Sequence, residues 1–311
     1  MDVSLKLNYF LIDLILPLTA GYYLRSTRFH NKYLDKMISV CFSTLFPFLA
    51  ILTFWVLRPA MELFWLPLFG VILHIIPGLI SFYYARKHYT SGTDIGSFVL
   101  AGMLSNLLTL GGISVFILYG ERGFAYVQLV VLFQNLILFL FCFPLAQYFA
   151  QRDTDSDGQG IRWRSLFNRN QLTVVGMIIG AYLNWADYLR PDYLGNAVDW
   201  LIHITAWLTL IPVGHSIDFT QIRQYWRSTV DILVIKFILT PIAIFGLARI
   251  IFTDTIVFNT LMLLSFAPSA INAVIAVRLH QLNIHLVMAS FVLTTAVYLL
   301  VVYPVIFFYL R

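Results

Sequence analysis

Ser105-Asn106-Leu107-Leu108-Thr109-Leu110-Gly111-Gly112 lies in the middle of a long apolar run, and so does Ser265-Phe266-Ala267-Pro268-Ser269-Ala270-Ile271-Asn272. Each places helix-breaking residues and an Asn where an uninterrupted helix would be expected. Proline lacks a backbone donor and clashes with the preceding turn, and a glycine pair favours local unwinding. In lipid, freed backbone groups are tolerated only where protein or a cavity satisfies them. The physical consequence is a half-helix start near the bilayer centre, whose free N–H groups and partial positive charge attract anions. A packing kink explains one such interruption equally well. Two at matching places favour a site.

The surrounding sequence makes the membrane reading the economical one. The chain has 311 residues, 60% of them hydrophobic and 11% charged, against about 25% charged in an ordinary soluble domain. Disorder, a secreted disulfide scaffold and a nucleic-acid module are excluded at once, and the bilayer is the expected surrounding. Cys41 and Cys142 both lie in apolar runs and suggest no metal site. Crossing the hydrocarbon takes about 20 apolar residues per helix. Ten such runs are expected, near 7–24, 37–57, 63–85, 95–119, 123–149, 171–189, 195–217, 229–252, 255–279 and 284–310. The strand alternation of a transmembrane barrel is absent, and the first run reads as a true helix and not a removable signal peptide.

Lys and Arg set the orientation. With the N-terminus outside, the inside connections carry Arg25, Arg28, Lys32, Lys36, Arg86, Lys87, Arg152, Arg162, Arg164, Arg169, Arg223, Arg227 and Arg278. The outside connections carry only Lys6, Arg58, Arg122, Arg190, Arg249 and Arg311. Both termini are therefore expected outside the cytoplasm, in a cell or inner membrane.

Laying residues 1–150 on 161–310 puts nearly every apolar run on another without gaps. Tyr33-Leu34 meets Tyr193-Leu194, Thr93-Asp94 meets Thr253-Asp254, and Pro144 meets Pro304. The organisation expected is a first five-helix repeat over 1–149, an inter-repeat linker over 150–170, and a second repeat over 171–311. An odd number of spans per repeat turns the second upside down, which is a common transporter architecture.

Several polar groups fall inside spans. Lys236 sits mid-span, where an ammonium is costly unless paired or hydrated. It is a candidate for binding a carboxylate substrate or for changing protonation; snorkelling, or a structural pair with Asp13 or Asp199, is the alternative. Asp199 and His203 share a helix face, and His74 is mid-span. A proton relay through these groups is the less favoured reading, and Asp199 reads best as a cap near a helix start. Gly176 and Gly180 form a GxxxG pattern that favours packing within one chain over dimerisation, although a homodimer stays open. Asp153-Thr154-Asp155-Ser156-Asp157-Gly158 begins like a calcium loop, but its twelfth place is Arg164 and not the Glu the loop requires. Trp163, Trp185, Trp200 and Trp226 fall near span ends, as interfacial aromatics do. No nucleotide loop, nucleophile elbow or HExxH occurs, so neither an enzyme nor a bound cofactor is expected.

Asn106 to Gly111, Tyr119-Gly120-Glu121-Arg122-Gly123 and Asn135 resemble the first-half signature of the auxin efflux carrier family. Pro268-Ser269-Ala270-Ile271-Asn272-Ala273 resembles its second-half signature, and Gly21-Tyr22-Tyr23-Leu24-Arg25, Phe42 and Pro47 its N-terminal pattern. The resemblance covers essentially the whole chain. It implies an all-α integral membrane protein of ten transmembrane helices in two inverted repeats, with helices 4 and 9 broken and crossing. Helices 1, 2, 6 and 7 would form a scaffold and the others a mobile core. It implies transport of small organic anions, auxin in plants and dicarboxylates such as malate or malonate in bacteria, on a fold similar to that of the bile-acid sodium symporters. The family pattern often has Gly and Pro where this chain has Leu108 and Ile113, so Gly111-Gly112 are expected to supply the first bend. Asn106, Gly111, Gly112, Pro268, Ser269, Asn272 and Lys236 are the expected substrate-site residues. Sodium coupling of the bile-acid type, or a sensor that keeps the fold without turnover, are the alternatives.

Overall fold

A computed structural model of the chain describes residues 8–27, 31–152, 172–217 and 222–310. Among them the chain is all-helical. We label the helices α1 (Phe10–Leu24), α2 (Lys32–Trp55), α3 (Met61–His88), α4 (Gly92–Met103), α5 (Leu107–Arg152) and α6 (Leu172–Trp185). They continue as α7 (Asp192–His215), α8 (Gln224–Ile251), α9 (Thr255–Ser265), α10 (Ile271–Leu279) and α11 (Ile284–Tyr309). Six of these, α2, α3, α5, α7, α8 and α11, are long and apolar enough to cross a membrane. Together with the apolar α1, α6 and α9, they make this a multi-pass membrane protein.

Prolines shape the long helices. Among the described residues one wide π-turn, Leu107–Gly111, is followed by Ile113; five others occupy Phe10–Ile15, Cys41–Leu45, Leu138–Cys142, Ile235–Leu239 and Tyr298–Val302. Each of these five is followed two residues later by a proline: Pro17, Pro47, Pro144, Pro241 and Pro304. A proline leaves the carbonyl of the preceding turn without its donor and pushes against it; widening that turn relieves both problems without ending the helix.

Glycines set the closest helix approaches. Gly21 of α1 lies on the Ile211 carbonyl of α7, and Gly214 of α7 on the Leu18 carbonyl of α1. Gly176 and Gly180 of α6 lie on the Pro47 and Ile51 carbonyls of α2. At all four a methyl group would overlap a backbone oxygen. Small residues let membrane helices pack backbone to backbone, so the GxxxG pattern serves contacts inside one chain. Gly120 interrupts α5 with φ 62° and ψ −152°, a conformation that glycine adopts without steric cost.

Cys41 and Cys142 are both free and buried. The residues read as a calcium-like loop, most of the linker, and Trp163 lie outside the described residues.

Candidate functional site

The two interrupted stretches meet. α4 ends at Met103 and α5 begins at Leu107; α9 ends at Ser265 and α10 begins at Ile271. Between these ends the chain leaves the helix, and Ser105 pairs with Ser269 as an isolated antiparallel bridge. Asn106 N donates to Pro268 O at 2.8 Å, and Ala270 N donates to Leu104 O at 3.0 Å. Ser269 adds two bonds: its N–H donates to Thr294 Oγ1 at 3.1 Å and its hydroxyl to Ala101 O at 2.8 Å. Broken helices leave backbone groups without intrahelical partners. Here each break supplies partners for the other, which is what makes irregular backbone tolerable at this depth.

Lys236 enters this crossing from the wide turn of α8. Its side chain is fully buried. Nζ donates to Ser105 Oγ at 2.6 Å and to Leu104 O at 3.1 Å. Neither Asp13 nor Asp199 pairs with it, and no carboxylate lies within ion-pair distance of it among the described residues. A mid-span ammonium with neutral partners keeps an uncompensated charge, and in a medium of low dielectric its field reaches far. His74, also fully buried, is near enough to interact with it electrostatically. His74 Nδ1 bonds to Gly70 O at 2.7 Å.

Asn106 is the N-cap of α5. Its Oδ1 accepts from the Thr109 hydroxyl and from Leu110 N, while its buried Nδ2 has no partner among the described residues. α10 begins without a side-chain cap, and half-buried Asn272 is its second residue. The bridge register places Asn106 opposite Pro268, so the two asparagines are not counterparts across it.

Gly111 and Gly112 do not supply the bend. Both have helical backbone angles inside α5, and the break lies earlier, at Leu104–Asn106. A Cβ on Gly111 would press on Leu264 of α9; this glycine brings α5 close to α9. Pro268 and Ser269 do lie at the second break.

The remaining intramembrane polar groups separate from the crossing. Asp13 is buried and its Oδ2 meets His203 Nδ1 at 2.6 Å, joining α1 to α7. Asp199 is no cap: α7 starts at Asp192, two turns earlier. No continuous relay of Asp, His and Lys is formed among the described residues. Sequence reasoning treated Ser105 only as a flank, although it holds the lysine, and it missed Thr294 altogether.

At one end of the bundle Glu121 forms a two-point ion pair with Arg190, whose NH2–Oε2 distance is 3.0 Å. Arg190 also donates to Leu52 O at 2.9 Å. Arg122 pairs with Asp254, which caps α9 through Ile256 N and Val257 N. Glu121, Arg122 and Asp254 border a cavity of about 460 Å³ that also touches Thr53, Glu62 and Tyr126.

Fold and site together define a multi-pass helical membrane protein with two broken helices joined end to end around a buried lysine. No family model matches the chain. It is similar to an uncharacterized transporter of Methanocaldococcus jannaschii, with 24% identity over 249 residues, 78% of each chain.

Proposed function

We propose that this protein is a secondary transporter or facilitator of small organic anions, carboxylates in particular, working by alternating access. The observation that carries the reading is the crossing: two mutually bonded helix breaks, an uncapped α10 start, and a lysine without countercharge. Together these give a positive potential at mid-depth with few charged residues, the arrangement expected for binding an anion between half-helices. The relative's name supports transport as the general activity.

The finer architecture we propose is ten crossings in two inverted five-helix repeats, with both termini outside. α5 has 46 residues, about 69 Å of helix at 1.5 Å per residue, too long for one crossing of about 30 Å. The Gly120 bend lets it serve as the end of the fourth crossing and all of the fifth; α9 and α10 make the ninth. Internal symmetry supports the repeats. The wide turns at Leu138–Cys142 and Tyr298–Val302 are 160 residues apart, each followed by an aromatic residue and a proline. The pair Gly21 on Ile211 and the pair Gly180 on Ile51 exchange under nearly the same offset. α1, α2, α6 and α7 would be the scaffold, and the remaining helices the moving core. No enzyme activity belongs to this reading.

The ammonium at the crossing also weighs against sodium coupling there, since it already donates to the oxygen atoms that a bound cation would need. The test is uptake into proteoliposomes of radiolabelled mono- and dicarboxylates, with and without Na+. Saturable accumulation or exchange without Na+ is expected. Strict dependence on Na+ would establish the bile-acid-type mechanism instead. Binding of anions without movement would make the protein a sensor.

A further inference from the structure

A groove of about 540 Å³ runs along the α1–α7 pair, away from the crossing. α1 contributes Tyr9, Ile12 and Asp13; α7 contributes Asn196, Asp199, Trp200, His203 and Trp207. The spacings, three and four residues apart on both helices, put each set on one helix face. The composition is unusual for a helix surface in a membrane protein. Two carboxylates face one imidazole, and three aromatic rings surround them. Tyr9 packs on the His203 ring at 4.6 Å. Trp200 is 71% exposed, and Asp199 is exposed beside it.

Asp13 supplies the second observation. It is only 3% exposed, and one of its oxygens is committed to His203. The other, Oδ1, is buried and has no hydrogen-bond partner among the described residues. A buried acceptor left without a donor is costly, and more so on a carboxylate. Asp199 lies seven residues from the start of α7, about 10 Å along the axis. An exposed carboxylate at that depth is unfavourable against hydrocarbon. Asp199 therefore calls for a cationic donor and Asp13 Oδ1 for a hydrogen bond, and the rings suit an ammonium group, because indole and phenol faces attract cations. A second copy of this chain is the poorer occupant: a two-fold contact through this face would bring Asp199 towards its own image.

We propose that this groove binds a primary ammonium group, such as the headgroup amine of an ethanolamine lipid or a free alkylamine. A primary amine offers N–H donors to the unsatisfied carboxylate as well as charge to the rings. A trimethylammonium group offers charge alone and should bind less well. The site rests on the membrane reading of the chain but not on which solute is carried.

The experiment uses the full-length protein purified in detergent, with thermal stability and native mass spectrometry as readouts. Phosphatidylethanolamine, phosphatidylcholine and phosphatidylglycerol are added separately, and free ethanolamine and propylamine form a second arm. Phosphatidylethanolamine should stabilise the protein and remain bound, ahead of phosphatidylcholine, with phosphatidylglycerol without effect. Asp199→Asn and Trp200→Ala, which spare the Asp13–His203 pair, should each weaken binding about tenfold, the scale of one cation–π or charge contact. Free amines that bind while the lipid does not would identify a soluble amine as the ligand. Equal retention of phosphatidylglycerol, or unchanged binding in both variants, would overturn the proposal. Transport assays play no part, so failure here leaves the anion-transport reading intact.

Discussion

Replacing Lys236 with methionine separates a functional lysine from a structural one. The side chain is fully buried and its two partners are neutral. Placing an ammonium mid-membrane costs about 2.5–3.5 kcal/mol, and two hydrogen bonds from a charged donor return about 1.5–3 kcal/mol each. Methionine removes both contributions and keeps an unbranched side chain, one atom shorter. The Leu104 carbonyl still accepts from Ala270 N, which leaves Ser105 Oγ as the group that loses its partner, at about 1–3 kcal/mol. The variant should therefore be less stable by about 1–6 kcal/mol. Anion binding should respond differently. For a carboxylate about 8 Å from the ammonium at an effective dielectric of about 20, the lost attraction is about 2 kcal/mol, about thirtyfold in affinity. Thermal unfolding in detergent and carboxylate binding to the same preparation give the two numbers. A variant that unfolds readily but binds anions normally when folded would make Lys236 a structural tie, and the account of the crossing would fail.

Asn106→Ala should reduce uptake strongly, because it deletes the unpartnered Nδ2 along with the α5 cap; the cap itself accounts for about 1 kcal/mol of stability, and normal transport kinetics would contradict the assignment. Gly21→Ala and Gly180→Ala should each lower thermal stability by about 1–3 kcal/mol, the range for overpacking, whereas Gly246→Ala, whose added methyl meets nothing within 4 Å, should not; equal behaviour of all three would refute the close-packed scaffold. Glu121→Arg should impair transport and Glu121→Arg with Arg190→Glu should restore part of it, if their ion pair joins scaffold to core; failure of the reversed pair would make the contact incidental. Burial holds the His280 imidazole below its ordinary value near 6.5, so the folded state favours the neutral ring. Its contribution to stability should be complete above pH 6.5 and decline as pH falls below that, and a melting profile between pH 8 and 5 that is unchanged in His280→Gln would refute this.

How much was legible beforehand depended on whether a residue's role was local or long-range. Helix breaks are local: Pro268 and the polar run at Ser105-Asn106 mark interruptions because their own chemistry disfavours an apolar helix there. Both breaks were legible, and so was the mid-span burial of Lys236, since a charge in an apolar run is conspicuous in any register. The misreading of Gly111-Gly112 shows the limit. A glycine marks either an unusual backbone angle or a close neighbour, and sequence alone does not separate the two. The neighbour here is Leu264, 153 positions away. Gly120 is the opposite case, with positive φ and open space around it.

The crossing itself could not be read from the overlay of the halves. A constant offset of 160 sets Ser105 against Ser265 and Asn106 against Phe266. The bridge instead joins Ser105 to Ser269, an offset of 164, with its two hydrogen bonds exchanged under the same shift. Four residues are about one helical turn. In the proposed repeat, the two halves would keep a common register in their intact helices and shift it by one turn where the helices are broken. This is physically reasonable, because inside a helix the register is held by packing and at a break it is set by whichever backbone groups must find partners. The same freedom explains why Asn106 and Asn272 need not act alike. Asn106 caps its own helix, whereas α10 starts uncapped, so the two ends of the crossing present different chemistry to an anion. Asn106→Ala and Asn272→Ala should therefore differ in their ratio of lost stability to lost binding.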